Sequence, residues 1–114
     1  MTSNSSIKAI ELNIEQHKKI SNYGKAVERL KANKDFKQIV IDGYFSQEAI
    51  RLVHLKGDPG MQSADSQLSI VKQMDAVSAF SQYLNVLVIQ GNMADKAIGY
   101  DEDMREEILA EGSD

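Results

Sequence analysis

An all-α fold, an elongated helical hairpin or small helical bundle with a long carboxyl-terminal helix, is what three features of this 114-residue chain predict. Apolar residues recur at steps of three and four through most of the sequence, the pattern of one helix face. The stretch from Ser63 to Leu109 is periodic and free of proline. The single proline stands just before it, in Gly57-Asp58-Pro59-Gly60, the one strong turn signal of the chain.

Taken in order, Ile7, Ile10, Ile14 and His17, then Ile20, Tyr23, Val27 and Leu30, predict a first helix. Gly24 inside it costs about 1 kcal/mol of helical preference relative to alanine, which marks a bend or a close packing contact. Asp35 and Gln38 have capping-box spacing ahead of a short helical turn with Phe36, Ile39 and Val40 on its apolar side, and Gly43 is expected to end it. Ser46 then caps a segment in which Ala49, Ile50, Leu52, Val53 and Leu55 are buried and Lys56 lies near the carboxyl end. Residues 38–45 also carry β-favouring side chains, but an isolated strand needs a partner, so the helical reading is preferred.

At Asp58-Pro59-Gly60 the chain is expected to reverse, with proline at the second turn position and glycine accepting positive φ at the third. Ser63 is the predicted cap of the long helix, and Asp65 lies in its first turn. Along that helix Val77, Leu84, Gly91 and Ile98 repeat every seven residues, and Phe80, Leu87 and Ala94 follow three later, as in a coiled coil. Ile70 and Met74 extend the row. Its small residues, Gly91, Ala94 and Ala97, predict close helix approach or a bend. Val77, Phe80, Leu84, Leu87, Gly91 and Ala94 are therefore candidates for an interface with another chain, the competing reading being a monomer core.

Charge divides the chain further. Residues 101–114 hold seven acids and one base, Arg105, a formal −6, so the −4 of the whole chain leaves +2 for residues 1–100. The expected organisation is a flexible start at 1–6, a helical domain at 7–100, and an acidic extension at 101–114 that is partly helical or disordered. Residues 17–37 have the opposite sign, a formal +5 from Lys18, Lys19, Lys25, Arg29, Lys31, Lys34 and Lys37 against Glu28 and Asp35. Such a segment meets an acidic protein surface, phosphates or headgroups. The bases surround a helix rather than forming one stripe, which favours a solvated or protein-facing surface over nucleic acid.

Composition argues against full disorder, since 42% of residues are hydrophobic and widely spread. There is no cysteine for a disulfide or a thiolate ligand. The start lacks an apolar leader core, and the longest apolar run, Val86 to Ile89, is four residues, so neither a leader nor a transmembrane segment is expected. His17 and His54 stand outside any metal-ligand spacing; His17 reads as ordinary surface or interface and His54 as core edge. The carboxylates Asp101, Glu102, Asp103, Glu106, Glu107 and Glu111 lack calcium-loop spacing. With no phosphate loop, nucleophile elbow or zinc motif, no catalytic, cofactor-binding or metal residue is nominated.

Ala26-Val27-Glu28-Arg29-Leu30, Asp42-Gly43-Tyr44-Phe45, Glu48-Ala49, Arg51-Leu52-Val53, Asp58-Pro59, Met61-Gln62, Lys72-Gln73-Met74-Asp75-Ala76 and Gln82-Tyr83-Leu84 together resemble a group of small, acidic-tailed proteins of tailed bacteriophages. The resemblance covers about residues 26–104. It implies a virion-associated or morphogenetic role, located in the virion or the infected bacterial cytoplasm, and carries no residue assignments. The expected function is that of a non-enzymatic phage structural or assembly protein making protein–protein contacts, with itself as a homo-oligomer or with another phage protein. The alternative is a regulatory protein that binds a host protein or nucleic acid.

Overall fold

The computed structural model describes residues 3–112, and every element in it is helical: α1 (Ser3–Ala32), α2 (Lys34–Phe36), a π-helix (Lys37–Gln47), α3 (Glu48–Lys56), a 3-10 turn (Pro59–Met61) and α4 (Ala64–Gly112). The predicted all-α class is therefore present, with α4 as the long carboxyl-terminal helix of 49 residues. Two compact units divide the chain. One consists of the residues up to Val27 with those from Val86 onward, and the other of Glu28–Asn85.

Helix α1 starts at Ser3, so Ser3 to Ser6, expected to be a flexible end, are helical; Met1 and Thr2 lie outside the described residues. Its buried row is Ile10, Ile14, Ser21, Gly24 and Val27. Ile20, Tyr23 and Leu30, expected on the apolar face, are exposed instead. Ser21 and Gly24 displace them because this face meets α4 at backbone distance. A Cβ on Gly24 would lie 3.0 Å from the carbonyl oxygen of Leu87 and 3.1 Å from the Cα of Gly91. Of the two roles open to Gly24, close packing is the one it has.

In the same unit, Ser21 Oγ donates to the Asp95 carboxylate, His17 Nδ1 lies 3.6 Å from Asp101, and Arg105 lies 4.0 Å from Glu11. The acidic segment is helical as far as Gly112, while Ser113 and Asp114 lie outside the described residues.

The connection after α1 departs from expectation. Asn33, not Asp35, caps α2, its side-chain oxygen accepting from the Phe36 N–H at 3.0 Å. Gly43 does not end the following element and Ser46 does not start a new one, since both lie inside the π-helix. The Glu48 N–H donates to the carbonyl of Gly43, five residues back, so the chain passes from the wide helix into α3 without a break.

The reversal near Asp58 is also built differently. Asp58 accepts from the Gly60 N–H at 2.7 Å, and among the described residues no glycine has positive φ. Pro59 opens a 3-10 turn in place of a turn that needs left-handed glycine. The side-chain amides of Gln62 and Gln67 both donate to the carbonyl of Lys56, each at 2.9 Å, capping one of the acceptors that α3 leaves open at its end. Ser63 caps α4 as predicted, accepting from the Ser66 N–H at 3.1 Å.

The core of the Glu28–Asn85 unit is Leu52, Ile70 and Val77, with Tyr44, Phe45, Ala49, Leu55, Met61 and Met74 packed around them. Leu52 and Ile70 have essentially no exposed surface. Each fully buried aliphatic side chain contributes roughly 1.5–3 kcal/mol, so this small cluster accounts for much of the unit's cohesion.

Glycine substitutions test the packing directly. Gly24→Ala and Gly91→Ala place a methyl group against backbone atoms of the facing helix and are expected to destabilise by about 1–3 kcal/mol in chemical denaturation, despite alanine's better helix propensity. Gly99 has open space around its Cβ position, so Gly99→Ala is expected to stabilise by about 0.5–1 kcal/mol.

Candidate functional site

The π-helix is the unusual local feature. Wide turns of this kind are rare and cluster at functional sites, and this one runs for 11 residues. Its half-buried residues are Val40, Ile41, Gly43, Tyr44 and Phe45, followed at the start of α3 by Glu48 and Ala49.

There Tyr44 and Phe45, neighbours in sequence, both reach Phe80 of α4. Phe45 meets Phe80 edge to face, with centroids 5.4 Å apart and planes at 78°, and Tyr44 lies 6.2 Å from Phe80 at 56°. Tilted and edge-on rings bring the positive rim of one to the negative face of the next.

Grooves flank this aromatic trio. One, of about 360 Å³, has a floor of Ile41, Phe45 and Leu84, a polar wall of Ser81, Gln82 and Asn85 from α4, and Lys31 and Lys37 at its rim. Phe45, Ser81 and Gln82 also line an adjoining groove of about 300 Å³, which extends the apolar surface past Ala49 to Val53 and Met74. Beside Tyr44 and Phe80 is a more open depression of about 480 Å³, edged by Ile39, Val40, Gly43 and Glu48. Hydrogen bonds from Arg51 hold the Glu48 carboxyl below its ordinary value, and Glu48 in turn raises Arg51.

The residues proposed from sequence as an interface are mostly occupied within the chain. Val77, Leu84, Gly91 and Ala94 are buried and Leu87 is half-buried, so the heptad row is core and not a free face. Phe80 differs, being 41% exposed between the grooves. The basic set Lys18, Lys19, Lys25, Arg29, Lys31, Lys34 and Lys37 is exposed apart from half-buried Lys31, and among the described residues none of the seven is in an ion pair. Lys31 and Lys37 line the groove of about 360 Å³. That groove was not legible in the sequence because its lining joins Lys31, residues of the π-helix and residues of α4, which only the folded chain brings together.

His54, expected at the core edge, is exposed in the last turn of α3. His17 is half-buried, and its Nδ1 has no hydrogen-bond partner beside Asp101. Among the described residues no group of three histidine or acidic side chains is placed to hold a metal ion, and no helix is long and apolar enough to cross a membrane. No protein-family model matches the chain, and no curated protein or solved structure is significantly similar to it.

If Phe45 and Phe80 form the rigid ridge between the grooves, their contributions are coupled. A double-mutant cycle with Phe45→Ala and Phe80→Ala is expected to give an interaction free energy of about 1 kcal/mol in equilibrium denaturation. Strict additivity would remove the ridge as an energetic unit.

Proposed function

We propose that this protein is a non-enzymatic helical adaptor that works by protein–protein contact, and that its setting is the assembly of a tailed bacteriophage particle. The observation that carries the adaptor reading is the apolar surface left open around the aromatic ridge: Ile39 is 70% exposed and Val53 is 58% exposed, next to grooves floored by Ile41, Phe45 and Leu84. Apolar side chains clustered in this way on a folded domain are a feature of partner-binding surfaces. A rigid helical frame carrying them supports a docking role. The phage setting is supported by the resemblance in sequence, and the acidic helix end supports electrostatic steering towards a basic surface.

A second reading, binding of nucleic acid through residues 17–37, draws on their unpaired bases. The two readings separate by nucleic-acid titration at two salt concentrations: the nucleic-acid reading expects binding at low salt that weakens steeply as salt rises, whereas the adaptor reading expects no nucleic-acid binding at either.

The test is proteomics of purified particles and assembly intermediates, comparing wild type with Ile39→Asp and Val53→Asp. Because both side chains are exposed, each substitution is expected to change stability by no more than about 0.5 kcal/mol. Wild type is expected in stoichiometric amounts and the two variants much reduced. Complete absence of the wild type from particles and intermediates alike would overturn the phage-assembly reading.

A further inference from the structure

The basic-rimmed groove has features that narrow its occupant. It follows α4 from Met74 to Asn85, about three helical turns, with an apolar floor and two cations, Lys31 and Lys37, at one end. A helix with an apolar rib and carboxylates alongside is complementary to it.

The last turns of α4 have that composition. Tyr100, Met104 and Ile108 are spaced by four on one face, with Tyr100 76% and Met104 50% exposed and Ile108 half-buried. Asp103, Glu107 and Glu111 form a second exposed line beside them, also spaced by four. The final turn contains no base. Of these carboxylates Glu111 lies in that last turn, at the negative pole of the helix macrodipole, an unfavourable placement that cations from another surface relieve. Helix α4 carries both a wall of the groove and the acidic end, so every copy of the chain presents the two complementary surfaces.

We propose that the groove takes the acidic end of α4 from a second copy of this chain. Tyr100, Met104 and Ile108 lie on Ile41, Phe45 and Leu84, and Asp103, Glu107 and Glu111 face Lys31 and Lys37. This names a partner for the adaptor reading and rests on it. The two surfaces differ, so the contact is head to tail, and each added copy presents a fresh groove until a ring closes or growth continues as a filament.

Sedimentation velocity of the full-length protein over a wide concentration range, at low and high salt, tests this. The mean mass is expected to rise with concentration at low salt and to fall towards the monomer at high salt. The double variant Lys31→Glu/Lys37→Glu and the triple variant Asp103→Lys/Glu107→Lys/Glu111→Lys should each weaken association by roughly tenfold or more, with helicity retained by circular dichroism. Mixing the two variants should restore association, because the reversed groove then meets the reversed helix end and the two unaltered surfaces also meet. A wild type that is monomeric throughout at low salt, association indifferent to salt and to both variants, or a mixture without rescue would each overturn the proposal. A monomeric wild type that still enters particles removes self-docking and leaves the adaptor reading intact. Rescued self-association without incorporation does the reverse.

Discussion

Two glycines set the terms of the unit that joins the first 27 residues to those from Val86 onward. At Gly24 and Gly91 the backbones of α1 and α4 touch, leaving no room for a Cβ on either side. The spacing fixed there determines which side chains fit nearby. Ser21 and Ala94 are buried because they are small, and the longer polar groups pair in antiparallel order away from the crossing: Ser21 with Asp95, His17 with Asp101, Glu11 with Arg105. A larger residue at the crossing pushes the helices apart and stretches all three contacts. The helical penalty of glycine, about 1 kcal/mol at each position, is offset by the packing this approach allows.

In the Glu28–Asn85 unit the corresponding constraint is the burial of Leu52 and Ile70, the two large side chains with least exposure. With Leu52 pinned in the core, the preceding residues must still bring Phe45 and Tyr44 to Phe80. Both rings reach it from within the π-helix. Exposed Ile39 and Val53 are left at the margins of the same surface, beside the grooves that flank the aromatic ridge.

Charge is arranged in keeping with a binding role. Arg29 and Lys31 occupy the last turn of α1, where the helix dipole favours cations. Glu111 occupies the last turn of α4, where it does not favour an anion and where no base stands. The first placement stabilises the end of α1 and keeps Lys31 beside the groove, while the second is relieved by cations from another surface. The functional proposal thus joins an apolar surface, which provides the contact area, to charges that orient the approach.

The helical class, the reversal near Pro59, the Ser63 cap and the start of α4 were all determined by the sequence alone, because each depends on residues within a few positions of one another. The core rows were only partly determined. Ile10, Ile14, Val77 and Leu84 keep their helical phase and are buried, but Ile20 and Tyr23 lose their place to Ser21 and Gly24 because a facing backbone excludes large side chains. Tertiary structure also decided the fate of Gly43 and Ser46, whose local stop and start preferences give way to a continuous π-helix, and of the heptad row, which the chain covers itself. The physical reason is common to these cases. Local preferences amount to a kilocalorie or so per residue, whereas packing two surfaces together engages many side chains at once, and only the folded chain specifies which surfaces meet.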